Sequence, residues 1–204
     1  MTILGVNSID EMIKLNKGKL KSEDLVRIQN LILEGTTIDK KDNNGYRTNN
    51  RRFVGTWNNG VRNIQYFPIE YKNIDIAVSE FLKYYNEKEK QELSVLLKPF
   101  VIHGLLAALQ LFNDGNTRLA RLLQHIKIWE STAEIFKLDI SMPAIYMSRS
   151  YYPYRTEYRN KIKNIAIEMD NNSWNDWFNF NLNRLEDQLF YIDENLEQYK
   201  KIIK

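Results

Sequence analysis

Apolar residues along this 204-residue chain recur mostly at three- and four-residue spacing, the pattern of helices that bury one face. Leu25, Ile28, Ile32 and Leu33 form one such stripe, with Ser22 placed to cap its start and Gly35 its end. Ser8-Ile9-Asp10-Glu11 reads as an earlier, shorter helix start. Ala77, Phe81, Leu82 and Tyr85 mark another helix, and Leu93, Leu96 and Leu97 one more. Pro99 is expected to open a new helix, because its missing N–H costs nothing at the first helical position. Phe100, Gly104, Leu105 and Ala108 share a face of that helix, and the small residues among them let a neighbour approach closely. After a break at 112–115, Leu119, Leu122, Leu123, Ile126 and Trp129 line a longer helix. Pro143 and Pro153 punctuate the stretch beyond that helix. Tyr158, Ile162, Ile165 and Ile167 suggest a helix, as do Trp177, Phe178, Leu182, Leu185, Leu189 and Ile192.

One stretch departs from the helical period. Thr36 to Asn50 is polar, with Asn44-Gly45 as a turn. Two β-prone runs then flank Asn58-Asn59-Gly60, one from Arg52 to Trp57 and one from Val61 to Phe67. Asn-Gly tolerates positive φ at both central positions, so a tight hairpin is expected. A lone hairpin is marginal in water and must rest on the helical body.

Composition sharpens this reading only in places. Hydrophobic residues make up 43% and aromatics 12%, enough for one core rich in Phe, Tyr and Trp. The 29 basic and 26 acidic residues leave a net charge of +3, which argues against a nucleic-acid partner. There are no cysteines, so disulfides and thiolate metal sites are excluded, and a cytoplasmic location is expected. The N-terminus does not read as a signal peptide. The run from Pro99 to Phe112 is too short for a membrane span, so no membrane partner is expected.

Chemistry concentrates at the break, Phe112-Asn113-Asp114-Gly115-Asn116-Thr117-Arg118. Gly115 permits backbone conformations closed to other residues, and Asn116 is placed to cap the next helix. The first turn of a helix leaves N–H groups unpaired and favours an anion. Arg118 and Arg121, three apart, are expected on one face. Together these groups could hold a di- or triphosphate, with Asp114 on a bridging Mg²⁺. The plainer reading is an ordinary helix–helix turn with solvated arginines.

The run from Phe112 to Arg121, with Gln110-Leu111 before it, resembles the Fic motif, His-Pro-Phe-x-Asp/Glu-Gly-Asn-Gly-Arg-x-x-Arg. Gly45-Tyr46-Arg47, Tyr66-Phe67-Pro68, Pro99, His103, Ile145-Tyr146-Met147-Ser148, Tyr158-Arg159 and Trp174-Asn175-Asp176-Trp177 resemble further parts of that family. The resemblance spans about residues 25–195, with 1–24 as a helical extension of one Fic-type domain over 1–204. It implies a mainly α fold, a helical bundle with one β-hairpin flap.

The resemblance also implies a function, transfer of AMP from ATP to a Ser, Thr or Tyr hydroxyl of a protein target. Asp114 would then hold Mg²⁺, Gly115, Asn116 and Thr117 would form the anion hole, and Arg118 and Arg121 would contact phosphates. Val61, Arg62, Asn63 and Ile64 of the flap would dock the target segment as an added strand. Three positions depart from the motif. Gln110 stands for its histidine, Leu111 for its proline and Thr117 for a glycine. The histidine is the family's general base, and an amide cannot take its proton, so transfer is expected to be slow. The alternative is a catalytically inactive module that binds nucleotide or a partner. The family's inhibitory Ser/Thr-x-x-x-Glu-Gly/Asn pattern fits neither Glu34-Gly35 nor Glu194-Asn195, which leaves room for a homodimer or a separate inhibitory protein.

Five further expectations concern single features. His103 is taken as a hydrogen-bonded core histidine and His125 as a helix-surface residue. Trp174 and Trp177 are assigned to core packing rather than to stacking on adenine. Arg51-Arg52 and Lys40-Lys41 are taken as solvated loop charges. The Tyr151-Tyr152-Pro153-Tyr154-Arg155 cluster is taken as a loop packed on the body.

Overall fold

The computed structural model describes residues 19–34, 36, 45–88, 92–136 and 145–202. The Ser8 helix start, Gly35, Asn44, Lys40-Lys41 and Pro143 lie outside them. The described elements are α1 (Ser22–Leu33), β1 (Val54–Asn58), β2 (Val61–Tyr66), α2 (Ile74–Asn86), α3 (Glu92–Leu109), α4 (Asn116–Phe136), α5 (Ser148–Tyr151), α6 (Arg155–Glu168) and α7 (Asn171–Ile202). The fold is mainly α with one antiparallel two-stranded hairpin. Among the described residues no helix is long and apolar enough to cross a membrane.

α3 and α4 form the centre of the bundle, with α1 against α4 and α6 and α7 against α3. The predicted stripes face inward in part: Leu93, Leu96, Ile167, Leu182 and Leu189 are exposed, while others are core. Leu25, Ile28, Phe81, Tyr85, Leu119, Leu122, Leu123 and Ile126 are at most 3% exposed. Side chains of this size each contribute roughly 1.5–3 kcal/mol when fully buried. Gly104 carries the expected close approach. A Cβ there would lie 3.0 Å from Trp174 and Trp177 and 3.1 Å from Ile165, so α6 and α7 pack onto bare backbone. Trp177 is fully buried and its indole N–H donates to the Phe100 carbonyl at 2.8 Å, which bears out its assignment to the core.

Two helix boundaries differ from expectation. Ser22 is the first residue of α1, not its cap. The cap position is Lys21, whose N–H donates to the Asp24 carboxylate at 2.9 Å, while the Ser22 hydroxyl meets the Tyr46 hydroxyl at 3.0 Å. Pro99 does not open a helix; it lies inside α3. A proline there deprives the carbonyl four residues back of its donor. That carbonyl belongs to Val95, and the Ser131 hydroxyl of α4 donates to it at 3.0 Å, so the helix runs on unbroken.

The hairpin turns at Asn59-Gly60, both at positive φ (49° and 79°), as the sequence requires. Its register pairs Asn58 with Val61 and Thr56 with Asn63, and shifts between Val54 and Gly55. Tyr66 fixes the hairpin to the bundle. It is 6% exposed, and its hydroxyl donates to the Ala107 carbonyl in the last turn of α3 at 3.2 Å.

Candidate active site

The loop between α3 and α4 is held from several sides. Gln110 ends α3 in the left-handed region, at φ 50°, which costs a non-glycine residue about 1–2 kcal/mol. Its side chain offsets that cost. Gln110 Nε2 donates to the Ala107 carbonyl at 2.7 Å, and Oε1 accepts from Asn116 Nδ2 at 3.2 Å. Asn116 is 4% exposed. Its Nδ2 also donates to the Phe112 carbonyl at 2.8 Å, and its Oδ1 accepts the Phe112 N–H at 2.9 Å. Asn116 therefore does not cap α4, as expected from sequence; it folds back and closes the loop that precedes it.

Arg47 braces the same loop. Its Nε donates to the Gln110 carbonyl at 2.6 Å, its other nitrogens to Ile69 at 2.7 Å and Asn49 at 3.0 Å. The Arg47 N–H donates to the Leu111 carbonyl at 2.9 Å, and Tyr46 stacks on Phe112 with ring centres 4.9 Å apart. Phe112 is fully buried and Leu111 1% exposed. Gly115 supplies a φ of 83°, and its N–H donates to Asp114 Oδ1 at 2.6 Å.

Beside this loop lies a cavity of about 780 Å³. Gln110, Thr117 and Arg121 of the motif line one wall, and Val54, Gly55 and Thr56 of the hairpin another. Asp114 and Arg118 lie off that wall and pair with each other at 3.5 Å. Arg118 also reaches the Ile32 carbonyl of α1 at 3.4 Å. The two motif arginines thus diverge rather than share one face. Three residues of helix leave them about 60° apart, and α1 draws Arg118 its own way. Asp114 and Arg118 side chains are 37% and 38% exposed. Among the described residues no cluster of three ligating side chains exists. The single carboxylate of Asp114 suits a hard cation only if phosphates and water complete its shell, the usual arrangement for Mg²⁺.

Other residues of the cavity were not assigned to it from sequence. Arg51, Arg52, Arg155 and Arg159 join Arg121 on its walls, and no described carboxylate does. Arg51 is exposed, as expected of a loop charge, and Arg52 is half-buried, but both also line the cavity. Arg52 Nε is buried and meets no acceptor in the described protein. Tyr151, Tyr152 and Arg155 also face the cavity, so their cluster lines a groove instead of merely packing on the body. The one available signal was the spacing of Arg155, Tyr158 and Arg159, which puts them on one face of α6.

Histidine takes no part in the cavity wall. His103 is fully buried, with Nε2 2.7 Å from the Tyr158 hydroxyl, as expected of a core histidine. Burial, and then the positive charge of Arg121, push its pKa down to about 3. His125 is not a surface residue: it is 2% exposed, the Tyr146 ring lies edge-on to it at 5.3 Å, and Nε2 accepts the Met147 N–H at 3.0 Å. Burial and the Arg121 charge lower its pKa to about 4. Burial also raises the Tyr158 and Tyr151 hydroxyls, with Arg121 acting the other way on both.

The model of the Fic/DOC family matches residues 19–126, more than half of the 204-residue chain. The chain belongs to the Fic/DOC family. The matched residues hold α1, the hairpin, α3 and the whole loop through Arg121, whereas α6 and the aromatic cluster before it lie outside. Comparison with curated protein sequences gives no match. Within this Fic/DOC chain the loop and the hairpin face each other across one cavity.

Proposed function

We propose that this Fic/DOC chain binds ATP in the arginine-lined cavity and transfers AMP slowly to a hydroxyl of a protein target. The observation that supports it best is the shared cavity: Gln110, Thr117 and Arg121 stand opposite the hairpin strand Val54–Asn58. In this reading Arg121 and the amides of the first turn of α4, from Asn116 and Thr117 on, hold phosphate. Gly115 gives the loop the turn that lets its backbone approach the anion. Asp114 would hold Mg²⁺, which when bound neutralises phosphate charge. Arg118 would turn from Ile32 towards the phosphates. The exposed stretch Val61, Arg62, Asn63 and Ile64 of β2 would align the target segment.

Proton transfer is the weak step. Gln110 cannot accept a proton at neutral pH, and both ends of its amide are engaged by Ala107 and Asn116. A positioned general base is typically worth about 10²–10⁴ in rate, so transfer should be slower by that order. Labelled ATP incubated with lysate tests this. Weak labelling that Gln110→His strengthens supports the reading. No labelling at high protein concentration, with labelling only in Gln110→His, sinks it for the natural sequence.

The engaged amide of Gln110 favours a second reading, a module that binds nucleotide without chemistry. Calorimetry with ATP and Mg²⁺ separates the two. Binding heat lost in Arg121→Ala, together with silence in the labelling assay, identifies a binding module. Equal heats in the wild type, Arg118→Ala and Arg121→Ala remove the phosphate site altogether.

A further inference from the structure

Two helices bring basic residues to the cavity, and only one belongs to the motif. The first is α4, with Thr117 and Arg121. The second is α6. Arg155, its first residue, and Arg159, one turn on, line the cavity, with Tyr158 and Ile162 on the same face. Thr156 and Glu157, next in its first turn, face a separate shallow cleft rather than the cavity. Arg51 and Arg52, from the segment ahead of β1, stand on the wall with them, and Arg52 Nε is a buried donor with no acceptor in the described protein. A buried donor of that kind takes an acceptor from water or from a ligand.

Five guanidinium groups and no described carboxylate on one cavity exceed what a magnesium-neutralised triphosphate at α4 would match. Like charges gathered this way favour a ligand that brings negative charge to more than one wall. Tyr152, which also lines the cavity and is 72% exposed, offers aromatic surface suited to a nucleoside.

We propose that the cavity takes a nucleoside phosphorylated at two separate places: a 5′-phosphate chain at Thr117 and Arg121, and a further phosphate on the ribose at Arg155 and Arg159. This rests on the nucleotide reading of the cavity and deepens it by naming the substrate class.

The test is titration calorimetry of the full chain with AMP, ADP, ATP and adenosine 3′,5′-bisphosphate. ADP and the bisphosphate carry the same number of phosphates and differ in where they sit. The bisphosphate should bind about tenfold tighter than AMP and ADP, the scale of one charge-assisted contact. Arg155→Gln/Arg159→Gln should abolish that preference while AMP binding changes less than about twofold; the single Arg159→Gln, at an exposed position, serves if the double variant does not fold. ADP binding as tightly as the bisphosphate, or a preference that survives these substitutions, overturns the proposal and leaves the nucleotide reading standing. No binding of any of the four nucleotides overturns both.

Discussion

Asn116 Nδ2 donates to Gln110 Oε1 at 3.2 Å, and this bond ties the end of α3 to the start of α4 across the loop. The residue at the position of the family's base is here a strap. Gln110→Leu should therefore leave one N–H of the buried Asn116 amide without its acceptor, while the Ala107 carbonyl keeps the Tyr66 hydroxyl. A loss of about 1–3 kcal/mol is expected for buried groups left unpaired, to be read as a lower urea midpoint with unchanged slope.

Arg47 donates to three carbonyls, Gln110, Ile69 and Asn49. Lysine has no planar fork to serve all three. Arg47→Lys should cost about 2 kcal/mol and Arg47→Ala more. Both should raise hydrogen exchange in residues 110–116 before the rest of the bundle. Uniform exchange across the bundle would contradict the brace.

Ser131 and Pro99 form a testable pair through Val95. Ser131→Ala leaves the Val95 carbonyl without its donor and should destabilise by about 1–2 kcal/mol. Pro99→Ala restores an N–H that can bond that carbonyl within the helix. In the Pro99→Ala background Ser131→Ala should cost much less. Additive losses in the double-mutant cycle would show that the two are independent.

The buried histidines fix a pH dependence. Both have folded-state pKa values below the ordinary histidine value, about 3 for His103 and about 4 for His125, because burial disfavours the charged form. The unfolded chain then binds more protons as pH falls below about 6.5, so stability rises with pH through this window and falls with acid. The melting temperature should drop between pH 6.5 and 4.5. His103→Gln, which can still bond Tyr158, should show a shallower drop. An unchanged slope would mean that His103 is not buried neutral.

Much of this protein was legible in its sequence because the signals are local. Helical periodicity marks the face a segment buries, and Asn59-Gly60 marks a turn through backbone sterics alone. Gly115 marks a turn at positive φ for the same kind of reason. What the sequence left open depended on distant partners. Pro99 reads as a helix start until Ser131, on another helix, supplies the missing donor. Asn116 reads as a cap until Gln110 and Phe112 engage it. His125 reads as surface until Tyr146 and Met147 pack against it. Arg51 and Arg52 read as loop charge alone until the hairpin and α6 bring them to one cavity with Arg155 and Arg159. Local pattern determined the helices, the hairpin and the loop; packing between elements decided which polar groups face one another, because burial and hydrogen bonding belong to pairs of segments and not to either one alone.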